Sequence, residues 1–220
     1  MNGPNGQQTS FRKLKRNWKR PGFPAMMTRN KRYGIVGGLF DPIHYGHLSL
    51  GEYAKIQLEL DKVLFIPNYH PPHRSEHTDY ECRCRMVELA IEDKPDYILS
   101  RIEEQIEGPS YTVKVLKKLR VEYPDIKYYF LIGSDNLTKM EAWHKPEKIF
   151  DLAEVAMAYR PGENKNMTGR FADLILKIEM PEIDVSSTEI RKAVSQGEAI
   201  DKMVPQKVAE FIYRENLYVG

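Results

Sequence analysis

The amino-acid sequence predicts an α/β fold, with an open and mainly parallel sheet that carries helices on both faces. Short apolar runs typical of buried strands alternate along the chain with segments of helical periodicity, and this alternation favours a parallel sheet. Glycine-rich or polar motifs follow several of these runs, where ligands bind in open sheets of this kind. The length of 220 residues and the 41% hydrophobic content suffice for one domain with a sizeable core.

The individual elements are predicted from apolar runs and helical spacing. Strands are expected at 33–36, 62–67, 97–100, 128–132, 155–158 and near 175–178. Helices are expected from near Gly46, at 80–92 and 112–122, after Pro146, and at 187–195 and 204–216. No internal repeat or long linker separates these segments, so the sequence indicates a single Rossmann-like sheet.

The first 30 residues differ in composition from the rest of the chain. They contain seven of the 33 basic residues and none of the 31 acidic ones, and they are rich in Gly, Pro, Asn and Gln. We expect residues 1–30 to be a disordered basic extension and residues 31–220 to form the folded domain. A basic arm can bind RNA or an anionic membrane surface, or serve in organelle targeting. Met26 or Met27 would be a natural start before the first strand, which favours an extension that is dispensable for activity.

Several classes of protein are disfavoured by the sequence. No apolar stretch approaches the length that spans a bilayer, and no signal-peptide hydrophobic region follows the basic N-terminus, so we expect a cytoplasmic protein without a membrane partner. Cys82 and Cys84 favour neither an ordinary structural disulfide nor a complete zinc site, and reduced thiols are expected. Neither a P-loop nor a Gly-x-Gly-x-x-Gly turn occurs, which disfavours P-loop ATPases and standard dinucleotide-dependent dehydrogenases.

The segment 37–47, Gly-Gly-Leu-Phe-Asp-Pro-Ile-His-Tyr-Gly-His, lies between the first predicted strand and the first predicted helix. Glycines allow a ligand to approach the backbone closely, and the free amides at a helix start attract anions. His44 and His47 add hydrogen-bond donors or positive charge. Taken singly, the glycines fit an ordinary turn, the histidines fit packed or solvated side chains, and a metal site lacks a third ligand at suitable spacing. Together these residues predict a phosphate-binding site.

A second anion site is predicted at the start of a later helix. Ser186 and Glu189 form a capping-box pattern, which marks a helix N-terminus. Amides and hydroxyls of Ser187 and Thr188 would then face outward with Arg191 one turn along, an arrangement suited to a polyphosphate. By itself, the segment also fits a plain capped helix with a solvated arginine.

Further candidate binding residues follow the other strands. The proline-rich loop after the second strand should lie over the binding edge, where Asn68, His73 and Arg74 can hold the phosphate and ribose of a mononucleotide. A rigid connector with solvated histidines is an equal alternative for this loop. Trp143 fits either core packing or stacking on a flat heterocycle. Asp135 fits either an acceptor for a ribose hydroxyl or a helix cap.

These motifs, in this order, resemble the nucleotidyltransferases that carry a His-x-Gly-His signature after the first strand, and among them the bacterial nicotinate-nucleotide adenylyltransferases. The resemblance extends over about residues 32–219 and includes the motifs at 37–47, 67–74, 109–112, 133–143 and 185–191. It implies an enzyme of NAD biosynthesis that transfers AMP from ATP to nicotinate mononucleotide. One departure is Leu39, where the family usually carries Thr or Ser, so any phosphate contact by that hydroxyl is missing here.

The resemblance also implies roles for individual residues. The catalytic residues would be His44, His47 and Arg191, and Mg²⁺ would accompany ATP without a dedicated set of protein ligands. The ATP-binding residues would be Gly37, Gly38, Leu39, Phe40, Gly46, Gly133, Asp135, Ser187 and Thr188. The mononucleotide-binding residues would be Asn68, His73, Arg74, Thr112 and Trp143, with Trp143 stacked on the pyridine ring. Arg160 would help to shape the nucleotide pocket.

Other readings of the same motifs stay open. Nicotinamide mononucleotide and phosphopantetheine are alternative acceptors for the same chemistry. A nucleotide-sensing or RNA-binding protein on the same fold is the alternative outside enzymes, although nucleic acid is not the expected partner. The sequence leaves the oligomeric state open, a homodimer included.

Overall fold

The computed structural model of the chain describes residues 30–71, 77–133, 139–159, 169–181 and 183–219. The strands in this part of the chain are β1 (Arg32–Gly38), β2 (Lys62–Pro67), β3 (Tyr97–Leu99), β4 (Lys127–Gly133), β5 (Glu154–Tyr159) and β6 (Ile175–Glu179). The α-helices are α1 (Tyr45–Gln57), α2 (Tyr80–Ile91), α3 (Thr112–Glu122), α4 (Glu147–Leu152), α5 (Ser187–Ser195) and α6 (Gln206–Arg214). The basic segment 1–29 lies outside the described residues.

The six strands form one sheet in the order β3-β2-β1-β4-β5-β6, and every neighbouring pair is parallel. This arrangement confirms the predicted open parallel sheet. From β1 the chain moves outward to β2 and β3, and it then crosses back to place β4 on the other side of β1. The strand order therefore reverses between β1 and β4, and a crevice opens beyond the carboxyl ends of the strands at this point.

Helices cover both faces of the sheet, as predicted. Helices α1, α2, α5 and α6 bury their apolar residues in one core with β1 and β2, whereas α3 and α4 pack in a second core on the opposite face. Gly51 allows α1 to lie close to β2, because a Cβ atom at this position would be 3.3 Å from both Val63 and Phe65. The N-terminus of α1 is thereby fixed at the carboxyl ends of β1 and β2.

The structure differs from the predicted elements mainly at their ends. The last helix begins at Gln206 rather than at Val204, because Pro205 follows Val204 and disfavours helical geometry in the residue before it. A short 3-10 helix, Ile102–Gln105, occupies the connection between β3 and α3, where no element was predicted. Both cysteines are free. No helix in the described ranges is long and apolar enough to cross a membrane.

Candidate active site

A cavity of about 1080 Å³ lies at the carboxyl ends of β1, β2, β4 and β5. Eleven of the residues named individually in the sequence analysis line it: Gly37, Gly38, Leu39, His44, Gly46, His47, Asn68, Thr112, Gly133, Trp143 and Ser186. These residues come from five separated segments of the chain. The fold thus brings most of the predicted site together at the switch point of the sheet.

The two histidines are held by the start of α1. His44 is the N-cap residue of this helix, and its ring centroid lies 3.8 Å from that of His47. The backbone N–H of His44 donates a hydrogen bond to Nδ1 of His47 at 3.3 Å. Because this bond makes Nδ1 an acceptor, the neutral His47 ring carries its proton on Nε2. The hydrogen-bond donor of His47 is therefore Nε2–H, and His47 lines the cavity.

Both imidazoles are neutral near pH 7. Burial lowers the pKa of His44 from 6.5 to about 4, although Glu189 acts in the opposite direction. Burial also places the pKa of His47 well below its ordinary value, and charge on His44 would lower it further. Of the two roles considered from the sequence, donor and positive charge, the free protein therefore supports the donor.

Gly46 leaves space for the His44 ring. A Cβ atom at residue 46 would lie 3.0 Å from Cε1 and from Nδ1 of His44, which is closer than side-chain atoms normally approach. At Gly37 and Gly38, by contrast, the nearest protein atoms to a built Cβ are 3.7 and 3.4 Å away. The surrounding protein has room for a side chain at these two positions. The absence of side chains at Gly37 and Gly38 therefore leaves space in the cavity, which both residues line.

Phe40 was predicted among the ATP-binding residues, and its side chain is buried against His47, so a contact of its backbone with ATP stays a prediction. The residue has a positive φ of 53° and its side chain is 1% exposed, so the ring cannot contact ATP. Instead, the ring makes an edge contact with the His47 imidazole at a centroid distance of 5.0 Å and packs against Phe65. The phenylalanine ring therefore supports the His47 imidazole. Its neighbour Leu39, which lines the cavity, has no hydroxyl at the position where the resembling family usually carries Thr or Ser.

Helix α5 is joined by two hydrogen bonds to residues 37–47, here called the histidine segment. The Ser187 hydroxyl donates to the Pro42 carbonyl at 2.9 Å, and Nη1 of Arg191 donates to the Asp41 carbonyl at 2.7 Å. Ser186 caps the helix by accepting a hydrogen bond from the Glu189 amide at 3.2 Å, as its sequence pattern predicted. The start of α5 and its arginine are therefore fixed beside the histidine segment, and the cap residue Ser186 places this helix end at the rim of the cavity.

The first-turn amides of α5 lie directly after Ser186, which lines the cavity. The N–H groups of Ser187 and Thr188 belong to the first turn, which has no acceptors within the helix. Such amides, together with the positive end of the helix dipole and a guanidinium, favour an anion. The Thr188 hydroxyl accepts a hydrogen bond from Arg191 at 3.4 Å, which directs the two side chains toward each other.

Asp41 connects the histidine segment to the C-terminus of the chain. Its carboxylate is 4% exposed and accepts hydrogen bonds from the Tyr218 hydroxyl at 2.7 Å and from the Thr78 amide at 3.2 Å. The fully buried Arg83 donates to the Leu39 carbonyl at 2.8 Å. No sequence motif pointed to Tyr218, because a pattern of local spacing cannot reveal a contact across 177 positions.

The other end of the cavity contains the residues predicted to bind the mononucleotide. Trp143 is half-buried and makes an edge contact with Phe130 of β4 at 5.9 Å, while it also lines the cavity. Thr112 is the first residue of α3, and Asn68 directly follows β2. A further stacked pair near these residues, Tyr111 and His144, was not predicted from the sequence.

Some predicted site residues cannot be placed. His73, Arg74, Asp135 and Arg160 lie outside the described residues, and their roles stay predictions. Within the described ranges, no group of three or more His, Cys, Asp or Glu side chains is arranged to hold a metal ion.

The parallel sheet, the paired imidazoles at the first helix start and the second helix start beside them define a nucleotidyltransferase site. The family model described as cytidylyltransferase-like matches residues 35–193. A protein of Thermomicrobium roseum, named "Probable nicotinate-nucleotide adenylyltransferase", is 38% identical over 85% of this chain and 91% of its own length. A protein of the same name from Hydrogenovibrio crunogenus is 35% identical over 87% of this chain and 100% of its own length.

Solved structures agree with this assignment at the level of the fold. The structure titled Plasmodium falciparum nicotinic acid mononucleotide adenylyltransferase complexed with NaAD superposes with a TM-score of 0.72 at 21% identity, over 86% of this chain and 97% of that one. The chain belongs to the nicotinate-nucleotide adenylyltransferases, within the cytidylyltransferase-like family.

Proposed function

We propose that this protein transfers the adenylyl group of ATP to the phosphate of nicotinate mononucleotide, with nicotinate adenine dinucleotide and pyrophosphate as products. One observation carries the proposal beyond family membership. A single cavity joins two neutral imidazoles, at the start of α1, to a half-buried tryptophan and polar residues suited to a second nucleotide. The names of the relatives point to the same reaction.

The reaction requires no protein nucleophile. An oxygen of the mononucleotide phosphate attacks the α-phosphorus of ATP, the bond from that phosphorus to the bridging oxygen breaks, and pyrophosphate leaves with the electron pair. Catalysis then depends on alignment of the two substrates and on stabilisation of negative charge. His47 donates from Nε2 to the phosphates near the reacting centre, and His44 lies against it.

The remaining phosphates of ATP are assigned to the rim formed by α5. Arg191 and the first-turn amides at Ser187 and Thr188 would hold the β- and γ-phosphates, since they provide a guanidinium and helix-start N–H groups. We propose that ATP enters with Mg²⁺ bound to its own phosphates, as is common for this cation. The Asp41 carboxylate is buried and already accepts two hydrogen bonds. We therefore assign it to stabilising the histidine segment and not to binding Mg²⁺.

Pyrophosphate release with different acceptors distinguishes the proposed function from its alternatives. Purified protein with ATP and Mg²⁺ is given nicotinate mononucleotide, nicotinamide mononucleotide or phosphopantetheine in parallel, and pyrophosphate release is measured. We expect the highest kcat/KM with nicotinate mononucleotide, and equimolar pyrophosphate and dinucleotide. Higher kcat/KM with either other acceptor would refute the assignment of substrate. ATP binding without pyrophosphate release from any acceptor would instead favour a nucleotide sensor.

A further inference from the structure

The carboxylate of Glu103 lies in the wall of the cavity on the side of the mononucleotide residues. It belongs to the short 3-10 helix Ile102–Gln105, and its side chain is only 3% exposed. Oε1 accepts a hydrogen bond from the side-chain amide nitrogen of Asn68 at 3.1 Å, and Oε2 accepts one from the backbone N–H of Tyr69 at 2.8 Å. A buried carboxylate costs free energy unless it is hydrogen-bonded, so these two hydrogen bonds are what stabilises Glu103 in the cavity wall.

The same carboxylate joins two segments that carry acceptor-site residues. Ser110 also hydrogen-bonds to Glu103, and the Ser110 hydroxyl oxygen accepts from the backbone N–H of His70 at 2.9 Å. The backbone N–H of Ser110 in turn donates to the His70 carbonyl at 2.9 Å. Burial raises the pKa of Glu103, and the hydrogen bonds from Ser110, Tyr69 and Asn68 oppose that effect. The segment after β2 is thus fixed to the segment that begins α3.

Glu103 also determines which end of the Asn68 amide is available to a ligand. A side-chain amide has a nitrogen that donates and an oxygen that accepts, and the two point in different directions. The bond to Glu103 uses one of the two N–H groups of Asn68 and fixes the orientation of the amide, so the oxygen is its one acceptor for a ligand in the cavity, which Asn68 lines. An amide oxygen cannot bind an ionised phosphate or carboxylate, since these groups only accept hydrogen bonds.

The chemistry of the acceptor then selects the contact. At neutral pH the phosphate and the ring carboxylate of nicotinate mononucleotide are acceptors, and its hydroxyl donors are those of the ribose. We propose that Glu103 is a positioning residue that orients Asn68 to accept a hydrogen bond from a ribose hydroxyl of the mononucleotide. This inference rests on the proposed function, and it assigns the amide oxygen of Asn68 to the ribose.

The first test replaces one carboxylate oxygen by an NH₂ group of similar size. In Glu103→Gln, this NH₂ group faces either the side-chain nitrogen of Asn68 or the backbone N–H of Tyr69, so one donor meets another donor. We expect the KM for nicotinate mononucleotide to rise about tenfold, the loss expected for one misplaced hydrogen bond, while the KM for ATP stays within about twofold. Glu104→Gln is the matched control, because Glu104 lies on the same 3-10 helix, is exposed and pairs with Arg101; it should leave both constants unchanged.

The second test exchanges the polarity of the pair. In the double variant Glu103→Gln with Asn68→Asp, the new amide nitrogen can donate to one oxygen of the new carboxylate, and the other oxygen remains for the ribose. We expect the KM for nicotinate mononucleotide to return to within about threefold of wild type, whereas Asn68→Asp alone, which sets two carboxylates against each other, should be worse than either. A purely structural role would appear as a lower melting temperature without this rescue.

The outcomes separate this inference from the proposed function. If the wild-type protein makes no dinucleotide from nicotinate mononucleotide, the proposed function fails. If wild type is active and Glu103→Gln raises both KM values equally, or if the double variant shows no rescue, the positioning role of Glu103 is refuted while the function stands.

Discussion

The buried, neutral His44 leads to a quantitative prediction for stability against pH. The pKa of this side chain is 6.5 in the unfolded chain and about 4 in the folded one, so the unfolded state binds a proton first as the pH falls. The stability associated with the neutral ring is fully present above pH 6.5 and is lost as the pH falls toward 4. At about 1.4 kcal/mol per unit of pKa, the loss by pH 4.5 is about 2 to 3 kcal/mol.

The measurement compares wild type with His44→Gln, which cannot titrate. The free energy of unfolding is obtained from urea denaturation followed by circular dichroism at pH 7.5 and pH 4.5. The decrease between the two pH values should be smaller in the variant by about 2 to 3 kcal/mol. His70→Gln is the control, since His70 is exposed, and it should reproduce the wild-type decrease. An equal decrease in wild type and His44→Gln would show that His44 is not held neutral by burial.

Three further predictions concern the residues around the histidine segment. His47→Ala should lower kcat about 100-fold or more, the typical cost of a lost preorganised donor; steady-state kinetics with kcat near wild type would contradict the mechanism. Gly46→Ala should displace the His44 ring, which lies 3.0 Å from the added Cβ, and lower kcat with little change in far-ultraviolet circular dichroism; an unchanged kcat would exclude this steric requirement. Tyr218→Phe leaves the buried Asp41 carboxylate with one donor fewer, so thermal denaturation should show a loss of about 1 to 3 kcal/mol, and an unchanged melting temperature would contradict the contact.

The fold was predictable because its signals are local. The periodicity of apolar residues gave α3 and α5 with their observed bounds, and the Ser186 and Glu189 pattern gave the cap of α5. The alternation of strands and helices is a property of the whole chain and implied the parallel sheet. Proline altered the start of the last helix by a local effect that the apolar spacing does not include.

The site was predictable only in part, since some of its contacts join distant residues. Glycines, histidines and the Trp143 motif identified the cavity, but nothing in the spacing placed Tyr218 against Asp41 or Glu103 against Asn68. The burial of Phe40 was also missed, because a residue with positive φ in a turn belongs to neither helical nor strand periodicity. The roles of His73, Arg74 and Asp135 stay predictions.

Direct attack on the α-phosphorus, aligned by the histidine segment and the start of α5, is the step on which the mechanism depends. The decisive measurement uses a single stereoisomer of ATP in which sulfur replaces one non-bridging oxygen of the α-phosphate. The configuration at this phosphorus is determined after transfer to nicotinate mononucleotide. One in-line displacement predicts inversion of that configuration in the dinucleotide. Retention would require two displacements through a covalent adenylyl-enzyme, and it would contradict a mechanism without a protein nucleophile.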